Sequence, residues 1–400
     1  MAERMTAQTR WVTSWTAMPM LTEPGNLPPA PFTGPEVALA DSTLRQTLRV
    51  SLGGPRIRLR ISNTFGGTPL SLTAVTVARP VGGHAGVRDV EPGSVRAVRF
   101  GGRGSATVPA GAHLVSDPVE FPVAARSNLA VTLYLAQGQD AAAVTSHPGS
   151  RTTSHLLAGN HVADPALPGA VPVEHWYFIS GVEVAAESAG AAVVVLGDSL
   201  TDGRGSTTDG NDRWPDQLLD RLHDAGVPDV AVLNQGAGGN RVLQDGLGPN
   251  ALARLDRDVL AQSGVRWLVV FEGVNDIGTA GATESAQKAV TDDLIAAYDQ
   301  IVTRAHAHGI RVYGATLTPF GGHDDYDDPA GFREASRQAV NGWIRGSGRF
   351  DAVLDFDRAV RDPAEPRRLR PIADTGDHLH LTPAGYRLLA EAVPVELFRA

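Results

Sequence analysis

The sequence predicts an α/β protein in two parts, an antiparallel β-sandwich followed by an α/β/α domain with a parallel sheet. Three observations carry this. Between Thr43 and Leu135, short runs alternate apolar and polar residues and are divided by Gly and Pro turns, the pattern of half-buried antiparallel strands. From Ala191 onward, short apolar runs alternate with helically spaced stretches, the pattern of a parallel sheet with helices on both faces. The run Ala191–Leu196 is apolar throughout, as a central strand covered on both faces must be. A chain of 400 residues has room for two domains. We expect a jelly-roll-like accessory domain over 1–188 and a second domain over 189–400, with Glu187-Ser188-Ala189-Gly190 as the hinge.

Residues Met1 to about Pro31 are rich in Pro and Thr and are expected to wrap over a surface. The alternating runs are Thr47–Leu52, Arg56–Ser62, Ser71–Ala78, Ser94–Phe100, Thr107–Val123 and Asn128–Leu135, with Glu174–Ala186 as the last strand of this half. In the second half, strands are expected at Val193–Leu196, Val230–Leu233, Trp267–Phe271, Val312–Leu317 and Ala352–Phe356. Helices are expected at Trp214–Ala225, Leu252–Gln262, Glu284–His308, Pro329–Ile344 and Pro383–Leu397. Pro215 near a helix start, Gly226 past its end, and Thr382 ahead of Pro383 are the usual start and stop signals.

Composition excludes several classes of function. The net charge of −9 offers no basic surface for nucleic acid or an anionic membrane. The absence of cysteine excludes disulfides, thiolate metal sites and cysteine nucleophiles. No apolar run reaches the length of a membrane span. The first twenty residues lack an apolar core of the signal-peptide kind, so a cytoplasmic location is expected unless a signal has been removed. The sequence does not speak to oligomeric state.

Each predicted strand of the second half runs into polar residues. The first ends in Gly197-Asp198-Ser199, the second in Asn234-Gln235-Gly236-Ala237-Gly238-Gly239-Asn240, and the third in Glu272-Gly273-Val274-Asn275-Asp276. After the last strand comes Asp374-Thr375-Gly376-Asp377-His378-Leu379-His380. Open α/β sheets bind ligands at the carboxyl ends of their strands. A serine there becomes a nucleophile only if a base takes its proton, and a histidine held by a carboxylate is such a base. From spacing alone, either His378 or His380 could serve.

The four blocks, in this order, resemble the SGNH family of GDSL-type serine esterases and lipases, over Val193 to about Tyr386. The sandwich-first arrangement resembles a two-domain bacterial subfamily, arylesterase- or carbohydrate-esterase-like. The resemblance implies Ser199 as nucleophile and Asp377 with His380 as its partners, the histidine being three residues after the aspartate. It also implies an oxyanion hole from the Ser199 and Gly239 backbone N–H groups and the Asn275 amide. No cofactor and no metal are implied. The chain departs from the family at Leu381, where proline is common, and at Asn240-Arg241.

The expected reaction is hydrolysis of a carboxylic ester through an acyl-enzyme. The substrate would be a small molecule or carbohydrate ester with a short acyl or acetyl group on a sugar, aryl or other small alcohol. The alternatives are acyl transfer by the same serine, or a glycan-binding module with an inert second domain. Asp198, Arg241 and Asn63 are candidate substrate contacts. Each has a structural alternative: turn organisation for Asp198, a surface ion pair for Arg241, and turn chemistry for Asn63. His147 and His155, like Asn63, could line an active-site wall or serve turns; the turn reading is preferred, because no acid, base and nucleophile converge in the first half.

Overall fold

The computed structural model of the protein describes residues 10–186 and 190–399. The expected hinge residues 187–189 lie outside the described residues. In the first half, alternating runs pair into two antiparallel sheets. One holds Arg10–Thr16, Ile179–Ala186, Gly54–Ser62 and His113–Val115, with Val119–Val123 also paired to Gly54–Ser62. The other runs Val171–Val173, Ser154–Ala158, Ser42–Arg49, Asn128–Leu135, Ala74–Ala78 and Arg96–Ala97. A small third sheet joins Trp176–Tyr177, Thr145–His147 and Met20–Leu21.

The second half is a parallel sheet in the order Val230–Gly236, Ala191–Gly197, Val265–Phe271, Arg311–Ala315, Ala352–Leu354. Ala191–Gly197 is thus the point where the strand order reverses, and the second and third strands flank it on opposite sides. The register levels their ends, since Gly197 faces Gly236 on one side and Phe271 on the other. The three polar blocks therefore emerge beside one another at the switch point, the usual ligand crevice of such a sheet.

Several expectations are corrected. The first residues described are no surface wrap: Arg10–Thr16 is a buried strand paired with Ile179–Ala186. Its Thr13 N–H donates to the Ser263 carbonyl at 2.9 Å, and Thr16 Oγ1 donates to the Asn234 carbonyl at 3.1 Å. Thr107–Val123 divides into Ala106–Val108, His113–Val115 and Val119–Val123. The helix begun at Ala251 passes into a wider turn over Asp256–Leu260. The helix expected from Pro329 starts at Phe332, because the Asp328 carboxylate accepts the Phe332 and Arg333 N–H groups. The last helix ends at Glu391, ahead of Pro394, which lacks the N–H a further turn needs.

The halves share one contiguous apolar core, running from Val12 and Trp15 through Val193 and Leu196 to Phe398. Polar bonds cross the same boundary. Arg49 meets Asp220 at 2.6 Å, and the Ser51 hydroxyl donates to the Val232 carbonyl at 3.1 Å. The fully buried Glu183 binds Arg58, Arg60 and the Ser263 hydroxyl.

Candidate active site

Ser199 opens the short helical turn Ser199–Asp202 directly after the central strand. Its Oγ lies 2.9 Å from His380 Nε2. His380 Nδ1 lies 2.6 Å from Asp377 Oδ2, and Asp377 Oδ1 accepts the His380 and Leu379 N–H groups at 2.8 and 3.0 Å. Burial pushes the Asp377 carboxyl up, but these amides and the His380 ring outweigh it and hold the carboxyl well below the usual range. Burial pulls the His380 imidazole below its ordinary value, with help from Arg204 and His323, despite the opposing pull of Asp377. His380 is therefore neutral near pH 7 and able to accept the serine proton.

The other candidate histidine is placed elsewhere. His378 has a left-handed backbone, φ +62°, and its Nδ1 binds Asp374 Oδ2 at 2.6 Å. Of the two histidines, only His380 meets Ser199.

Ser199, Gly239, Asn275, Asp377 and His380 line one cleft of about 660 Å³. The Ser199 and Gly239 N–H groups have no acceptor among the described residues. Gly239 has φ +68°, the left-handed region that favours glycine, and the exposed Leu247 side chain lies against it. By contrast, the Gly238 N–H is taken by Asp202 Oδ2 at 3.1 Å and the Gly236 N–H by Asn234 Oδ1 at 2.8 Å. Asn275, 3% exposed, donates one amide hydrogen to the Asn240 carbonyl at 2.8 Å. Tyr326 Oη donates to Asn275 Oδ1 at 2.8 Å, which fixes the amide orientation and leaves the second amide hydrogen for the cleft.

The three candidate substrate contacts are placed away from this cleft. Asn63 is wholly buried in the sandwich, where its Nδ2 donates to the Thr68 and Val108 carbonyls at 2.9 and 3.0 Å and its Oδ1 accepts from Gln139. It locks a turn. Arg241 turns back onto its own loop, binding the Asp245 carbonyl and Thr279 Oγ1. Asp198 is buried and caps the nucleophile turn by accepting the Leu200 N–H at 2.9 Å. Burial and the nearby Glu272 push its carboxyl well above the usual range. Asp276 accepts the Val242 and Leu243 N–H groups, both at 2.9 Å, and so holds the second block against the third.

Sequence reasoning missed three residues that build the site and gave a fourth to turn chemistry. Tyr326, the orienter of Asn275, lies in a polar loop with no periodic signal. Arg254, fully buried, donates to the carbonyls of Gly197 and Gln235 at 3.0 and 2.6 Å and to Asn240 Oδ1 at 3.0 Å. It ties the ends of two strands to the second block. Its carboxylate partner Glu272 is also fully buried, at 3.3 Å. The fourth, His147 from the sandwich, lines the cleft.

Residues 195–388 match the model of the GDSL-like lipase/acylhydrolase family. The second half of this chain belongs to that family. It is accordingly a serine-dependent ester hydrolase that works through an acyl-enzyme. No curated protein matches the chain. Among solved structures, it is similar to a lipase/acylhydrolase from Enterococcus faecalis, 19% identical, with a TM-score of 0.39, covering 52% of this chain and 94% of that one. It is also similar to an acetyl xylan esterase from Geobacillus stearothermophilus, 22% identical, with a TM-score of 0.38, covering 51% and 93%. No described helix is long and apolar enough to cross a membrane.

Proposed function

We propose that Ser199 is the nucleophile, His380 its general base, and Asp377 the group that holds the imidazole in its tautomer. The observation that carries this is the unbroken hydrogen-bonded chain Ser199 Oγ, His380, Asp377 at 2.9 and 2.6 Å. Ser199 attacks the ester carbonyl as its proton passes to His380 Nε2. The oxyanion meets the Ser199 and Gly239 N–H groups and the free Asn275 amide hydrogen, which are fixed before charge develops. His380 then gives the proton to the leaving alcohol, and the same histidine activates the water that releases the acid.

The substrate reading follows from what lines the cleft. The Leu247 side chain lies against Gly239 beside the oxyanion hole, which supports a short acyl group. The rest of the rim is polar: Glu23, Asn26, Arg151, His175, Arg204 and Asp325 line the same cleft. Four of these come from the sandwich, so the accessory domain faces the alcohol part of the ester. A hydroxylated alcohol such as a sugar suits such a wall better than an aryl group, because its hydroxyls can hydrogen-bond to these polar side chains. The test compares kcat/KM along p-nitrophenyl acetate, butyrate and octanoate, and then acetylated sugars against phenyl acetate. Acetate and the acetylated sugars should lead. A preference for octanoate would overturn the short acyl site, and a preference for phenyl acetate the polar alcohol site.

A further inference from the structure

The sandwich was read as an accessory domain in which no acid, base and nucleophile converge. One of its side chains, however, enters the catalytic half. His147 ends the strand Thr145–His147 and is 5% exposed. Its Nε2 lies 2.9 Å from Asp202 Oδ1 and its Nδ1 2.9 Å from the Met18 carbonyl. A carbonyl only accepts, so Nδ1 carries a hydrogen. Nε2 faces a carboxylate, so that contact also needs a proton between the two groups. The ring is held from the side as well. It stacks on Trp176 with centroids 5.8 Å apart, and Trp176 is pinned by a 2.9 Å bond from Nε1 to the Thr47 carbonyl.

Asp202 is the fixed point on the other side. It ends the turn that Ser199 begins and is 1% exposed. Its second oxygen accepts the Gly238 N–H at 3.1 Å, and Gly238 is joined directly to Gly239. The sandwich backbone is fitted around this carboxylate: a Cβ on Gly149 would lie 1.8 Å from Asp202 Oδ2. One buried carboxylate thus connects the nucleophile turn, the second-block loop and the accessory domain.

We propose that His147 is a positioning residue for the oxyanion hole, acting through Asp202 and the Gly238 N–H on the Gly239 N–H. The proposal rests on the oxyanion role given above to Gly239. Backbone donors stabilise a transition state only if they are held in place beforehand, and small misplacements of reacting groups are costly in rate. Without the imidazole, the Asp202 carboxylate is buried with one partner fewer and is free to swing from Gly238. The loop bearing Gly239 then loses its anchor.

The experiment measures kcat and KM on p-nitrophenyl acetate, together with Tm, for His147→Asn, His147→Gln and Asp202→Asn in the full chain. Asn keeps a donor where Nδ1 met the Met18 carbonyl but falls short of Asp202. Gln places its amide where Nε2 was and restores the bond to Asp202. Asp202→Asn keeps an acceptor for Gly238 and offers an N–H to a neutral His147. For His147→Asn, kcat should fall about tenfold or more, less than the roughly 10²–10³ of a deleted donor, with KM within about twofold. His147→Gln and Asp202→Asn should recover most of that loss. A merely structural histidine would give a lowered Tm with unchanged kcat, or equal kcat for the Asn and Gln variants, and either result would overturn the proposal. Ser199→Ala, run alongside, separates the two levels. If it is inactive while His147→Asn keeps wild-type kcat, only the positioning role falls. If it is active, the oxyanion reading falls and the proposal falls with it.

Discussion

Replacing Asn275 by alanine tests the oxyanion hole with two readouts that the structure separates. The amide hydrogen facing the cleft would be lost, and one such donor is worth about 10²–10³ in kcat, roughly 2.7–4 kcal/mol. The contact is made mainly in the transition state, so kcat and kcat/KM should fall together and KM should hardly move. Stability should fall too, because the side chain is not a free donor on a loop. Alanine would leave the Asn240 carbonyl and the Tyr326 hydroxyl without their partner. A buried group left unpaired costs about 1–3 kcal/mol, less where cleft water reaches it. Tyr326→Phe dissects the effect: the Asn275 donor stays but its orientation is no longer fixed, so kcat should fall by a smaller factor, about tenfold. Steady-state kinetics with thermal melts measure both. An Asn275→Ala enzyme with unchanged kcat and raised KM would refute the argument and make Asn275 a ground-state contact.

The remaining expectations concern pH, buried charge and the accessory domain. The kcat/KM profile should rise with a single midpoint below the ordinary imidazole value of about 6.5, because burial depresses His380 and only its neutral form accepts the proton; a midpoint well above 6.5 would contradict this. His378→Ala should keep most activity, since that ring faces Asp374 rather than Ser199, and its loss of turnover would reverse the choice of histidine. Burial pushes Glu272 up to about 7, with Arg254 opposing and Asp276 assisting. Its folded value thus lies above the unfolded one, so its contribution is full below about pH 4 and is lost as pH rises through 7, up to about 3 kcal/mol. The Tm of Glu272→Gln should therefore gain on wild type between pH 5 and pH 8; a constant difference would show that Glu272 does not titrate in that range. A fragment spanning residues 189–400 should be poorly soluble, because the core it shares with the sandwich becomes exposed apolar surface; a soluble, fully active fragment would make the sandwich an independent module.

The parts of this molecule that were readable in the sequence are those whose physics is local. Ala191–Leu196 announces a central strand because every residue is apolar, and each block follows its own strand. The alternation of NLAVTLYL gives Asn128–Leu135 to the residue. What escaped depends on partners far away in the chain. Arg10–Thr16 has the sequence RWVTSWT, and every residue from Val12 to Thr16 is buried, on both faces, against the sandwich and against the second half. Half-buried alternation is not expected of such a strand. His147 and Asp202 are separated by 55 residues and sit in different halves, so neither has a local signature. Arg254 sits in a helical stretch where an arginine normally faces solvent, and only the fold turns it inward to three carbonyl and amide oxygens. Asn63, Asp198 and Arg241 were left with two readings each for the converse reason. A polar residue beside a glycine-rich turn can serve the turn or the substrate, and here the turn takes all three.

The central claim is that Ser199 carries the acyl group. Treating the full chain with a serine-reactive phosphonate ester and mapping the adduct by peptide mass spectrometry tests it most directly. The account predicts one equivalent of phosphonate on the peptide containing Ser199, loss of p-nitrophenyl acetate turnover in step with labelling, and neither labelling nor turnover in Ser199→Ala. Labelling at another residue, or a Ser199→Ala protein that turns over the ester at the wild-type rate, would contradict it.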